Sequence, residues 1–126
     1  MNTPNHEAER RAAEAKARWG QTEAYRQYEA RPERDREALA AGMDRLMAAF
    51  AVCKQSGAPA DSAPAQRLTE ELRAFLTAHA YDCTDEILAG LGRTYVSDPR
   101  FRANIDRHGE GTAAFIARAI EIRTGR

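Results

Sequence analysis

The chain has 126 residues, and 19 Lys plus Arg balance 19 Asp plus Glu. That is one domain in size, and the neutral balance excludes the basic surface expected of a nucleic-acid or anionic-membrane binder. Leu, Ile, Val and Phe together number only 18 while Ala occurs 26 times, and with two Val in the chain a sheet has little to build from; helices joined by small contacts are what remains.

Before Leu39 there is no Leu, Ile, Val or Phe, so the large apolar groups of this stretch are Trp19, Tyr25 and Tyr28. Its composition predicts a helix over Glu7–Arg18, stopped by Gly20. Thr22 then caps a second short helix over Glu23–Ala30 that ends before Pro32. Short helices with little to bury are marginal in water, so residues 1–33 are expected to be a weakly ordered aromatic arm. Residues 34–126 are expected to form the core. There, Leu39, Met43, Leu46, Phe50 and Cys53 draw one stripe on a helix ending near Gly57. After the linker GAPADSAP, Ser62 caps a helix with Pro64 in its first turn and a stripe of Leu68, Leu72, Phe75, Leu76 and His79. The break Tyr81-Asp82-Cys83-Thr84 leads to a helix with Ile87, Leu88, Leu91 and Tyr95 on one side. Asp98-Pro99 opens a short helix carrying Phe101 and Ile105. Thr112 leads into a last one with Phe115, Ile116, Ala119 and Ile120. The predicted fold is all-α.

No apolar run approaches the ~20 residues of a membrane span, and the N-terminus MNTPNHEAERR lacks the apolar stretch of a signal peptide. A reduced, cytoplasmic chain is expected, its Cys53 and Cys83 unpaired. His6, His79 and His108 are far apart and form no metal-type spacing. Neither a nucleophile elbow nor a phosphate loop occurs, so no metal, no cofactor and no catalysis are expected. Asp82, Asp85 and Glu86 make one acid cluster. It reads as a carboxylate pair or cation site, or as the first turn of a helix capped by Thr84, where the dipole favours acids; the second is adopted. Cys83 is either a reactive thiol at that helix start or a buried structural one. Gly90 and Gly92 each cost about 1 kcal/mol in a helix interior, so either a neighbouring helix or a ligand approaches there, and Gly42 raises the same question. Trp19 and Tyr25 either dock the arm on the core or form a lid over an apolar compound.

Four spaced motifs then stand out: Arg18-Trp19-Gly20-x-Thr22-x-Ala24-Tyr25, Gly57-x-Pro59-Ala60-Asp61-Ser62, Tyr81-Asp82-Cys83, and Leu91-Gly92-x-x-Tyr95-Val96-Ser97-Asp98-x-Arg100-Phe101. In this order they resemble the TipAS family, the antibiotic-recognition domains of MerR-type, thiostrepton-induced transcriptional regulators. The resemblance implies a globin-like helical bundle with a cleft for a small apolar or thiopeptide-like ligand, over which the N-terminal arm folds. It implies ligand contacts from Trp19, Tyr25, His79, Tyr81, Asp82, Gly90 and Tyr95, with Trp19 and Tyr95 stacking and Tyr81 and Asp82 offering polar contacts.

In the thiostrepton-responsive member a cysteine just before the Leu-Gly pair captures the antibiotic covalently. Gly90 stands at that position here, so non-covalent binding is expected. The resemblance also implies that DNA is contacted only through a separate N-terminal domain absent from this chain, in a dimeric regulator. The effector part alone is expected to be a monomer without membrane contact. Two alternatives share the same cleft: a stand-alone drug-sequestering resistance protein, and a helical module that receives a partner helix.

Overall fold

The computed structural model describes residues 22–126; the expected helix over Glu7–Arg18, its stop at Gly20, and Trp19 lie outside the described residues. The described chain runs through six helices: α1 (Glu23–Glu29), α2 (Glu33–Gln55), α3 (Ala63–His79), α4 (Asp85–Ser97), α5 (Pro99–Asp106) and α6 (Thr112–Thr124). No strand occurs among the described residues. Helix starts follow the capping chemistry read from the sequence. The hydroxyls of Thr22, Ser62 and Thr84 accept from the backbone N–H groups of Tyr25 (3.1 Å), Ala65 (3.3 Å) and Ile87 (3.2 Å). Asp98 accepts from Arg100 N–H at 2.9 Å. Each such bond satisfies a donor that the first helical turn leaves open.

The most extensive helix pair is α4 against α6, with α2 packed on α3 and both touching α6. Phe50, Leu72, Leu88, Ile116 and Ile120 are fully buried at its centre; burial of such side chains contributes about 1.5–3 kcal/mol each. Two bare backbones set the helix spacing. A methyl group at Gly92 would stand 3.3 Å from Ile120 Cγ2, and one at Gly42 would overlap the Phe75 ring. The close approaches that these glycines pointed to are therefore helix–helix contacts, α4 on α6 and α2 on α3.

That crossing also moves the buried line on α2. It runs through Gly42, Met47, Phe50, Ala51 and Cys53, while Leu39, Met43 and Leu46 are half-buried along its margin. Helix α3 passes over the residue with no side chain, so its larger neighbours stand beside the contact. The eight-residue α5 buries a single side chain, Ile105, and leaves Phe101 41% exposed. Phe101 still meets the buried Tyr95, ring centroids 6.0 Å apart.

Candidate functional site

The end of α3 sets the geometry of the motif Tyr81-Asp82-Cys83. Ala80 closes the helix at φ −129°, ψ −67°, and the N–H groups of Ala80 and Tyr81 both donate to the Leu76 carbonyl, at 2.8 and 3.0 Å. The chain then turns through Ala80–Thr84 into α4. Inside the corner, the Thr77 hydroxyl accepts from Cys83 N–H at 3.2 Å, and the Arg73 guanidinium donates to the Cys83 carbonyl at 3.4 Å. Arg73 also pairs with the Asp85 carboxylate and lies 3.5 Å from Glu70. Asp85 and Glu86 occupy the first turn of α4. The acid cluster is thus a helix start tied to an arginine, and among the described residues no group of three His, Cys, Asp or Glu is arranged to hold a metal ion.

From the other side, α1 reaches the same corner. It buries no residue, but Tyr28 packs against the core, with the Arg36 guanidinium 5.7 Å from its ring centre, a cation–π distance. Three hydrogen bonds cross from α1 and the junction after it. Gln27 Oε1 accepts from Asp82 N–H at 2.8 Å, and Arg31 donates to the carbonyls of Ala78 (2.9 Å) and Thr77 (3.3 Å). Those carbonyls lie in the last turn of α3, where intrahelical donors run out. A cation there also suits the helix dipole.

The result is a tyrosine cluster. Tyr25 and Tyr28 have ring centroids 6.2 Å apart, tilted by 48°. Burial, then nearby Cys83 and Tyr28, holds the half-buried Tyr81 phenol above its ordinary range. Tyr95, 3% exposed, is held up chiefly by burial and then by Tyr81 and Cys83. Tyr25 is shifted the same way by burial and by Glu29. Burial likewise pushes the Cys83 thiol up to about 11 against the pull of Arg73. At neutral pH Tyr25, Tyr81 and Tyr95 are uncharged, and Cys83 is a protonated thiol with little nucleophilic character.

Of the residues singled out from sequence, the structure brings Tyr81 and Asp82 to one corner, with Tyr95 in the core beneath, while Tyr25 lies on α1 against Tyr28. Trp19 lies outside the described residues. His79 stands at the α3 rim, half-buried, with its ring 4.6 Å from that of Phe75. Gly90 is on the outward side of α4, turned away from the buried face of Leu88, Gly92 and Tyr95. The space beside it is open, and a methyl group there would meet only the Arg93 guanidinium, at 3.8 Å. Next to the α3 rim, an open groove of about 330 Å³ runs between α2 and α3, lined by Gly42, Arg45, Leu46, Ala49, Glu71 and Phe75. Sequence reasoning missed Gln27 and Arg31, which tie α1 and the junction after it to the corner. Nothing in their pattern sets them apart from the solvated charges around them.

The family profile described as the TipAS antibiotic-recognition domain matches residues 12–123. The chain is 37% identical over 111 residues to the HTH-type transcriptional activator TipA of Streptomyces coelicolor, covering 85% of this chain and 44% of that relative. The TipA of Streptomyces lividans matches to the same extent. The HTH-type transcriptional activator mta of Bacillus subtilis is 42% identical over 62 residues, 49% of this chain and 24% of its own length. The chain therefore spans less than half the length of these relatives. Among solved structures it is similar to TipAS in complex with nosiheptide, from a thiopeptide antibiotic multidrug resistance system of Streptomyces lividans. That likeness has a TM-score of 0.81 at 33% identity, over 100% of this chain and 96% of that one.

Proposed function

The chain belongs to the TipAS antibiotic-recognition domain family, and from that premise we propose that it is the effector-recognition part of a MerR-type transcriptional activator, binding bulky apolar compounds of the thiopeptide kind without a covalent bond. The observation that carries this reading is the likeness to the nosiheptide-bound TipAS, which extends over the whole chain. The tyrosine rings at the corner support it, because uncharged aromatic side chains suit large apolar ligands with few polar groups. Tyr25, Tyr81 and Asp82 contact the compound directly. Trp19 stacks on it, Tyr95 supports Tyr81 from below, His79 closes the α3 rim, and Gly90 leaves room beside α4.

Binding works by population shift. The arm, residues 1–33, closes over the compound, and its described part is poised for such movement because α1 buries no residue of its own. Ordering costs about 1–2 kcal/mol per residue, so a large apolar ligand surface has to offset it. In the whole regulator, a dimer in the cytoplasm, closure is passed to a separate DNA-binding part; the effector part alone is a monomer and not an enzyme.

Titration of the chain with nosiheptide, followed by Trp19 fluorescence, tests the reading. A saturable change is expected, with the compound recovered unaltered and the intact protein mass unchanged after denaturation. No saturable change removes the thiopeptide class, a stable adduct overturns the non-covalent mode, and steady conversion of the compound makes the chain an enzyme.

A further inference from the structure

We propose that Gln27 and Arg31 are positioning residues that make α1 and the Ala80–Thr84 corner order as one unit, so that occupancy of the corner is passed to the arm. The inference rests on the reading of this corner as the ligand site, and it names the groups through which that site acts. The polar connection between the two segments consists of the three hydrogen bonds already described: Asp82 N–H to Gln27, and Arg31 to the carbonyls of Ala78 and Thr77. Tyr28, half-buried against the core with the Arg36 guanidinium over its ring, also holds α1. Arg36 also donates to the Glu29 carbonyl at 3.4 Å, which ties α1 to α2 and not to the corner.

Each side lacks what the other supplies. Helix α3 ends without a left-handed glycine, the common device for closing its last carbonyls. Arg31 provides two donors there instead, spread over consecutive carbonyls by the forked guanidinium. Asp35, 3.7 Å from one of those nitrogens and one turn along α2, holds the fork in place. In the corner, the Asp82 N–H precedes the α4 cap and has Gln27 as its acceptor. If α1 leaves, two helix-end carbonyls and one loop N–H lose their partners together. Whatever fixes Tyr81 and Asp82 must therefore also favour docked α1, and docked α1 must favour the binding-competent corner, since coupling is reciprocal.

The test uses the full chain and the variants Gln27→Ala, Arg31→Ala, Arg31→Lys and the double alanine. Without ligand, hydrogen exchange is read at single amides. Arg31→Ala should speed exchange of the Asp82 amide, which Arg31 does not touch, about tenfold, together with the α1 amides. The amides of Leu72 and Ile116 should keep the wild-type rate. Arg31→Lys keeps the charge but not the fork and should lie between. With nosiheptide as probe, either single alanine should weaken binding about tenfold and the double variant no further, because both act through one latch. Faster exchange confined to the last turn of α3 would reduce Arg31 to a helix cap, and additive losses in the double variant would make the residues independent; either result overturns the proposal. Should nosiheptide fail to bind the wild-type chain, the thiopeptide reading falls, and joint or separate exchange of α1 and Asp82 alone decides for or against the latch.

Discussion

The Phe75 ring occupies the place where a side chain at Gly42 would begin. Helices α2 and α3 therefore touch backbone to ring, and the same contact borders the groove between them. Alanine at position 42 would gain about 1 kcal/mol in helix propensity but force the ring aside, and overpacking of this kind costs about 1–3 kcal/mol. Gly42→Ala is expected to destabilise the chain by about 1 kcal/mol in urea denaturation. In a Phe75→Ala background the sign should reverse, since the overlap is gone and the propensity gain remains. A loss of equal size in both backgrounds would show that the ring is not what excludes a side chain here.

Gly90 calls for the opposite outcome. It lies in the interior of α4 with open space beside it, so in the free chain nothing offsets its helix cost. Gly90→Ala is expected to stabilise the unliganded chain by about 0.5–1 kcal/mol, raising Tm by a few degrees for a domain of this size. If the glycine serves to admit a ligand, the same variant should bind nosiheptide more weakly while melting higher. Thermal melts and titrations on one preparation separate the two effects, and unchanged affinity would remove Gly90 from the site.

Asp44 supplies a pH-dependent tie between α2 and the turn after α5. Its carboxylate accepts from His108 Nε2 at 3.0 Å and pairs with Arg107. The His108 hydrogen bond first, helped by the Arg107 charge, holds its carboxyl below the usual carboxylate range. A pKa lowered on folding stabilises the native state above the unfolded value of about 4, and that contribution is lost as pH falls through the lower folded value. Asp44→Asn should therefore melt below wild type at pH 6, and the difference should shrink from about pH 4 downward until the two chains coincide. A gap in Tm that persists at pH 2 would mean that the charge of Asp44 is not the cause.

The local backbone of the candidate site was legible in residue types. Tyr81-Asp82-Cys83 breaks a helical pattern before a threonine cap, and Thr84, Asp85 and Glu86 follow capping and dipole rules that act over one turn. The burial of Tyr95 follows the apolar side read from the sequence, but the outward placing of Gly90 was not legible. Both lie on one short helix, and which of its sides meets the core depends on how α6 is placed against Gly92. Gln27 and Arg31 were equally silent, since their partners are backbone groups some 50 residues away along the chain.

Taken alone, the sequence determined the helical class, the capping residues and the ends of most helices, because these depend on propensity and on hydrogen bonds within a single turn. It also carried the family motifs around Trp19, Ser62, Tyr81 and Tyr95. Only the tertiary structure decided that the deepest line on α2 passes through Gly42, with Leu39 and Met43 half-buried beside it, that Phe101 stays exposed, and that α1 is fastened to the corner by Gln27 and Arg31. Those outcomes depend on which surfaces meet in space, and a chain with so few large apolar side chains allows its helices more than one face to bury until the neighbours are in place.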